Sequence, residues 1–294
     1  MEKTYRPLSL EQALRWLSQC GKSVIFAGGS DLLVRHQRWS GLVPEFEGPV
    51  IFTGHLKELQ RIESDGETLK IGSGCTLNAI IGSAHIPEQV ALPLRQMASP
   101  SIRNIATIGG NICNASPAAD TLPMLYALDA ALLLGSASGV RQVAIGDFIK
   151  GPGMTALRPD ELVLEIDIPI IPVSGVYYRK VGPRKANCLS KLSFYAAYDV
   201  SDIRVRDVRM AFGAVGPTVL RSREAEEILK SVVRQDVPDV AGQAKDIIAS
   251  MLAPIDDQRS GSDYRRRTSL KITEGFINER LFNEIHYEAH HVEI

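Results

Sequence analysis

Apolar positions recur along this chain with two periods, and the change between them divides it. Over residues 9–20 they fall at Leu10, Ala13, Leu14 and Leu17, one face of a helix, and Ser9 with Gln12 three residues on makes a capping box. A short apolar run at 24–26 predicts a strand. Residues 31–36 continue as a second helix, 41–49 form a loop, and 50–52 make another short strand, together a small α/β unit. From residue 60 the period shortens: 60–63 and 68–72 flank Ser64-Asp65-Gly66 as a hairpin. A short helix follows Thr76, and 87–98 is predicted helical with Pro87 near its start. Residues 121–128 are helical, 130–134 pairs with 140–144 across 135–139, Gly151-Pro152-Gly153 breaks the chain, and 162–168 alternates as a strand.

The run IIPVSG at 170–175 marks a boundary. Beyond it, 176–181, 192–200, 203–205 and 208–214 predict four strands in close succession. Residues 224–233, 237–251 and 262–282 carry apolar residues at helical spacing. The last third therefore reads as an antiparallel sheet backed by helices, and the whole as α+β.

Composition narrows the function. The 294 residues carry a formal net charge of -1, which argues against wholesale binding to nucleic acid or to an anionic membrane surface. No apolar run is long enough to span a membrane and the N-terminus lacks an export signal, so a cytoplasmic protein is expected. The four cysteines, Cys20, Cys75, Cys113 and Cys188, are scattered with no C-x-x-C, which gives no basis for an iron–sulfur cluster or structural zinc held by this chain. The six histidines form no metal motif, and His290-His291 reads as a solvated tail.

Candidate chemistry concentrates in two glycine turns. Residues 23–30 read SVIFAGGS, an apolar run ending at Gly28-Gly29-Ser30-Asp31, at the C-terminal end of a strand where α/β units bind ligands. Residues 101–120 read SIRNIATIGGNICNASPAAD, with Gly109, Gly110, Asn111 and Asn114 beside Thr107 and a helix expected to begin near Ala118. Glycine turns expose backbone N–H groups, the donors an anion cradle needs, and a diphosphate could take donors from both. An ordinary tight turn explains either one alone; their pairing points to a ligand. Neither matches G-x-G-x-x-G or a P-loop. Of two basic groups, Arg265-Arg266-Arg267 reads as a solvated helix face. Residues 178–185, YRKVGPRK, place cations at a strand end, where Lys180 could stabilise a reduced, negatively charged ring system.

AGGSDL at 27–32, together with the 101–120 stretch, resembles the flavin subunit of the molybdenum hydroxylases, the family of the xanthine dehydrogenase and carbon monoxide dehydrogenase medium subunits. The resemblance runs over essentially the whole chain, including PDEL at 159–162 and YRKVG at 178–182. It implies a two-lobed FAD-binding domain of the vanillyl-alcohol-oxidase (PCMH) type at 1–174, with lobes of about 1–55 and 56–174, and a smaller α/β domain at 175–294. It implies further that Ile25, Phe26, Ala27, Gly28, Gly29, Ser30, Asp31 and Leu32 line one arm of the FAD site and Thr107, Gly110, Asn111, Asn114 and Asp120 the other. Asp120 is then expected at ribose or ribityl hydroxyls, Val163 against the flavin, and Lys180 near the isoalloxazine with Leu189 close by. Met97 departs from the aromatic ring that some relatives place beside adenine, and Ile51-Phe52-Thr53-Gly54 departs from the usual acidic strand end. The implied partners are a molybdopterin-binding large subunit and a small subunit with two [2Fe–2S] clusters, whose electrons reach NAD+ through FAD here. A stand-alone flavin reductase of the same fold and a scaffold subunit without cofactor are the rival expectations.

Overall fold

The first helix runs Leu10–Cys20 in the computed structural model, with Ser9 as its cap accepting from the N–H of Gln12. Gln12 Oε1 reaches back to the N–H of Leu8, one residue beyond the capping-box position. The described residues are 4–39, 41–184, 187–201, 204–230 and 237–281. They belong to two units: Met1–Pro87, Met97–Ala115 and Asp129–Ile170 form the first, and Glu88–Gln96, Ser116–Leu128 and Ile171–Ile294 the second.

In the first unit, β1 (Thr4–Tyr5), β2 (Val24–Phe26) and β3 (Val50–Phe52) form a parallel sheet in the order β1-β3-β2. The first helix is the crossover between β1 and β2, and its Ala13 and Leu17 are buried with Ile51, Leu56 and Leu59. Strand β1 is too short for a periodicity argument and was not expected. The helix expected over 31–36 is reduced to one turn, Leu32–Arg35. A five-stranded antiparallel sheet follows. It contains β4 (Ile62–Ser64), β5 (Thr68–Gly72), β6 (Ala131–Ser136) and β7 (Gly139–Ala144). A small hairpin, β8 (Ile149–Gly151) and β9 (Met154–Thr155), precedes its central strand β10 (Leu162–Pro169), and the order is β4-β5-β10-β6-β7. A register shift between Val163 and Glu165 bends β10 against β6.

The second unit is built on β11 (Gly175–Val181), β12 (Leu192–Ser201), β13 (Arg204–Gly213) and β14 (Leu220–Arg221), antiparallel neighbours in chain order. The two strands expected at 203–205 and 208–214 are one: Val200 pairs with Val205 while Asp199 pairs with Asp207, so the interruption read at Arg206 is a bulge inside β13, and Ile203 lies outside the described residues. The helices Arg223–Leu229, Val237–Met251 and Ser262–Phe276 belong to the same core, where the Phe194 ring lies 4.6 Å from Phe212 and 5.5 Å from Phe276. The helix expected over 87–98 is Glu88–Arg95. The ends of the helices expected at 224–233 and 262–282, and His290-His291, lie outside the described residues.

One basic group is corrected. Arg265 does not lie on a solvated face: its side chain is 2% exposed, Nη2 donates to Asp257 Oδ1 at 2.6 Å, and Nη1 donates to the Ile255 carbonyl. Arg266 bonds the carbonyls of Ala249 and Leu252, the C-terminal end of the preceding helix. These arginines tie a loop and a helix end to the last helix, and Arg265 holds the Asp257 carboxyl well below the usual carboxylate range.

Candidate nucleotide site

Strand β2 ends at Phe26, whose carbonyl accepts from the N–H of Thr53, and the chain turns at Gly28-Gly29. Gly29 has φ +70, a left-handed conformation that disfavours a side chain. At Gly28 packing decides: a Cβ there would meet the Ile105 carbonyl oxygen at 1.9 Å. The first turn is thus pressed against the residues just before Thr107, and the two glycine motifs adjoin within the first unit. Among the described residues, no group accepts from the backbone N–H of Gly28, Gly29, Ser30, Asp31 or Leu32. Five consecutive donors are therefore open to an anion.

The second motif is closed. Residues Ile108–Cys113 form a six-residue helix, with Thr107 Oγ1 accepting from Gly110 N–H as its cap. Ile108 N–H donates to the Cys75 carbonyl, Gly109 N–H to Ser73, Asn111 N–H to Thr107 and Asn114 N–H to Gly110. The expected display of free amides at Gly109-Gly110 is corrected: their donors are consumed by the cap and by the turn after β5. The side chains of Thr107, Asn111 and Asn114 and the exposed backbone of Gly110 belong to this arm. Cys113 sits in this helix with burial pushing its thiol up to about 12, so it stays protonated.

The helix expected near Ala118 begins instead at Thr121, with Asp120 at its N-terminal boundary. In the second unit Asp120 is a hub. Tyr178 Oη donates to Oδ1 at 2.9 Å, Ser190 Oγ donates to the same oxygen, and Lys180 Nζ donates to Oδ2 at 2.7 Å and to the Gln96 carbonyl at 3.3 Å. The Asp120 and Lys180 side chains are 8% and 7% exposed. Burial, reinforced by the Asp120 charge, pushes the Tyr178 hydroxyl well above its ordinary value, so it remains a donor. Sequence reasoning placed Asp120 and Lys180 in the site without pairing them; Ser190 was missed, and its signal, a serine closing the loop after β11, is weak.

Ile25, Phe26, Ala27, Gly28, Gly29, Ser30, Asp31, Leu32, Thr107, Gly110, Asn111, Asn114 and Val163 belong to the first unit, and Asp120, Lys180 and Leu189 to the second. Val163 is buried at the start of β10, whereas Leu189 is 69% exposed. The first unit also holds a cavity of about 510 Å³ lined in part by Tyr5, Arg6, Phe52 and His55, residues to which no role was given from sequence.

The first unit thus offers an open run of amides of the kind an anion fits, and the second unit holds a buried aspartate–lysine pair. Residues 1–171 match the family described as the FAD binding domain in molybdopterin dehydrogenase, and residues 177–280 match the CO dehydrogenase flavoprotein C-terminal domain. The chain is 30% identical over 273 residues to the glyceraldehyde dehydrogenase medium chain of Sulfolobus acidocaldarius, covering 91% of this chain and 94% of that one. It is 29% identical over 285 residues to the xanthine dehydrogenase FAD-binding subunit of Escherichia coli O157:H7, covering 94% of each. Among solved structures, carbon monoxide dehydrogenase from Hydrogenophaga pseudoflava, in a form lacking the Mo-pyranopterin moiety, matches with a TM-score of 0.82 at 26% identity, over 93% of this chain and 94% of that chain. The chain belongs to the family of FAD-binding medium subunits of molybdopterin dehydrogenases, and FAD is its cofactor.

Proposed function

We propose that this chain is the electron-transfer subunit of a heteromeric molybdenum hydroxylase, passing electrons from the [2Fe–2S] clusters of a small partner subunit to NAD+, with substrate oxidation on a molybdopterin-binding large subunit. The five open amides from Gly28 to Leu32 carry the reading, because a diphosphate is the ligand such a run of unpartnered donors fits. Bound FAD supplies the redox chemistry, one-electron steps on the side of the clusters and two-electron chemistry on the side of NAD+.

The protein's contribution is position and electrostatics. The amides of Gly28, Gly29, Ser30, Asp31 and Leu32 hold the diphosphate, with Ile25, Phe26 and Ala27 as the floor beneath them. Thr107, Asn111 and Asn114 contribute side-chain hydrogen bonds and Gly110 an unshielded backbone. Val163 in the first unit and Leu189 and Lys180 in the second are the residues assigned to the ring system, Lys180 for its positive charge. Both carboxylate oxygens of Asp120 accept from protein donors, so its role is to fix the Lys180 ammonium. FAD binding is assigned to 1–174, in lobes of about 1–55 and 56–174, and the domain at 175–294 bears Lys180 and Leu189. No helix among the described residues is long and apolar enough to cross a membrane, and the cytoplasm is proposed as the place where the complex works.

The test is the visible spectrum of the chain purified alone and with its native partners, then anaerobic titration with NADH. A flavin spectrum bleached by NADH, with iron–sulfur absorbance only in the complex, supports the reading. A flavin that NADH leaves oxidised removes NAD+ as acceptor, and a colourless protein in both preparations removes the function.

A further inference from the structure

One face of the five-stranded sheet carries two carboxylates that the proposed function does not use. Glu165 and Asp167 stand two apart on its central strand β10, so both point away from the core that Ile166 and Ile168 enter. The pair begins at the register shift that bends β10 against β6. Across the ladder, β5 sets Lys70 opposite Asp167 and Gly72 opposite Glu165, while β6 sets Ala131 and Leu133 there. Glu63 of β4 and Gln142 of β7 stand one strand further out. The helix Ile108–Cys113, also packed on β10, has no charged residue, and on the first helix, packed on β6, Glu11 and Arg15 pair with each other in solvent.

Asp167 Oδ2 accepts from Gln142 Nε2 at 2.8 Å, but Oδ1 is buried and, among the described residues, no group donates to it. Lys70 faces the pair without an ion pair or hydrogen bond to either carboxylate. A buried oxygen left bare costs free energy, and the group within hydrogen-bonding reach is the Glu165 carboxyl, which donates only when protonated. We propose that Glu165 and Asp167 share one proton, held between Glu165 and Asp167 Oδ1, and that its release makes the centre of this sheet a pH-sensitive element of the first unit. Burial, then the charge and hydrogen bond of Asp167, hold the Glu165 carboxyl above the usual carboxylate range, with Glu63 acting the same way and Lys70 opposing. A carboxyl raised in this way stabilises the fold fully below its ordinary value of about 4.3 and loses that contribution as pH rises through its folded value. Above that point two negative charges stand side by side on the central strand.

The test follows urea unfolding of the full chain by the fluorescence of Trp16 and Trp39, its two tryptophans, both in the first unit, at about pH 4.5 and about pH 8. Glu165→Gln puts an amide donor where the proton stood, and Asp167→Asn keeps an oxygen for Gln142 while offering an amide to Glu165. Each midpoint should lie near wild type at the acid end and roughly 0.2–0.5 M above it at the alkaline end, with the double variant gaining no more than either single one. If Glu165→Gln loses its cooperative transition, Asp167→Asn carries the comparison. In a chain with isotope-labelled glutamate carboxyls, the resonance missing from Glu165→Gln should titrate above the ordinary range, and Lys70→Met should move it higher still. A gap between variant and wild type that does not change with pH, gains that add in the double variant, or a Glu165 resonance titrating at the ordinary value overturns the shared proton.

Discussion

The two glycine pairs of this chain, Gly28-Gly29 and Gly109-Gly110, are spelled alike and do opposite things. The first leaves five consecutive N–H groups without a protein acceptor; the second uses its N–H groups on Thr107 Oγ1 and on the Ser73 carbonyl, with Ile108 bonded to Cys75 beside them. The difference lies in what stands opposite. At the first turn a strand has ended and no carbonyl accepts from the amides, whereas the second is a helix start docked on the turn after β5. Open donors are cheap to leave unpaired only where solvent or a ligand can reach them. On the proposed function, the first turn is the anion seat and the second its support. Asp120 extends the closed pattern to the second unit, where Tyr178, Ser190 and Lys180 already occupy both its oxygens.

If closed groups hold structure and open groups hold ligand, breaking the most closed one should have the largest effect on stability. Lys180→Met leaves Asp120 buried without its cation and should destabilise the protein by about 3–5 kcal/mol, read from denaturant midpoints. The double variant Asp120→Asn with Lys180→Met leaves no unpaired charge and should recover part of that loss. A single variant as stable as wild type would show that the ion pair holds nothing together.

Next comes the joint between the two motifs. Gly28→Val drives a side chain into the Ile105 backbone and should cost about 1–3 kcal/mol, with the flavin-to-protein ratio falling far below one after purification. At Gly110 a Cβ would meet only Thr107 Oγ1, at 2.9 Å, the movable end of a side chain, so Gly110→Val should be the milder of the two in stability. Equal losses at both positions would erase the distinction between a backbone contact and a side-chain one.

The sequence exposed what local chemistry determines. Ser9 and Gln12 announced the first helix, period two announced the sheets, and the two glycine motifs marked the site proposed for the cofactor, because each signal is complete within a few residues. Groups that meet across the chain were hidden. The amides of Ile108 and Gly109 are silenced by the carbonyls of Cys75 and Ser73, more than thirty residues away, and nothing around Gly109 foretells it. Arg265 looked solvated beside Arg266 and Arg267 because Asp257, its partner, lies eight residues earlier in a loop of no regular period. The cavity gathers residues 4–6, 26–27, 52, 54 and 55 from three strand ends, and only the parallel order β1-β3-β2 makes them neighbours. Lys180 was read as a cation for a reduced ring system; its pairing with Asp120 depends on two residues sixty apart.

The smallest expected effect tests the comparison most directly. Thr107→Ala removes the cap acceptor from Gly110 N–H and so turns part of the second motif into a copy of the first, with an open amide. A lost N-cap costs typically about 1 kcal/mol, and Thr107 is buried, so no nearby solvent replaces the hydroxyl fully. Thr107→Ser retains the oxygen and should stay within roughly 0.5 kcal/mol of wild type, which separates the cap from the methyl group. Urea midpoints at unchanged slope would measure both. If Thr107→Ala and Thr107→Ser melt together at the wild-type midpoint, the hydroxyl is not closing the second motif, and its amides rejoin those of Gly28 to Leu32 as ligand donors. If only the alanine variant falls, the second glycine pair is a helix start that the first one, with its helix of four residues and no side-chain cap at Asp31, never becomes.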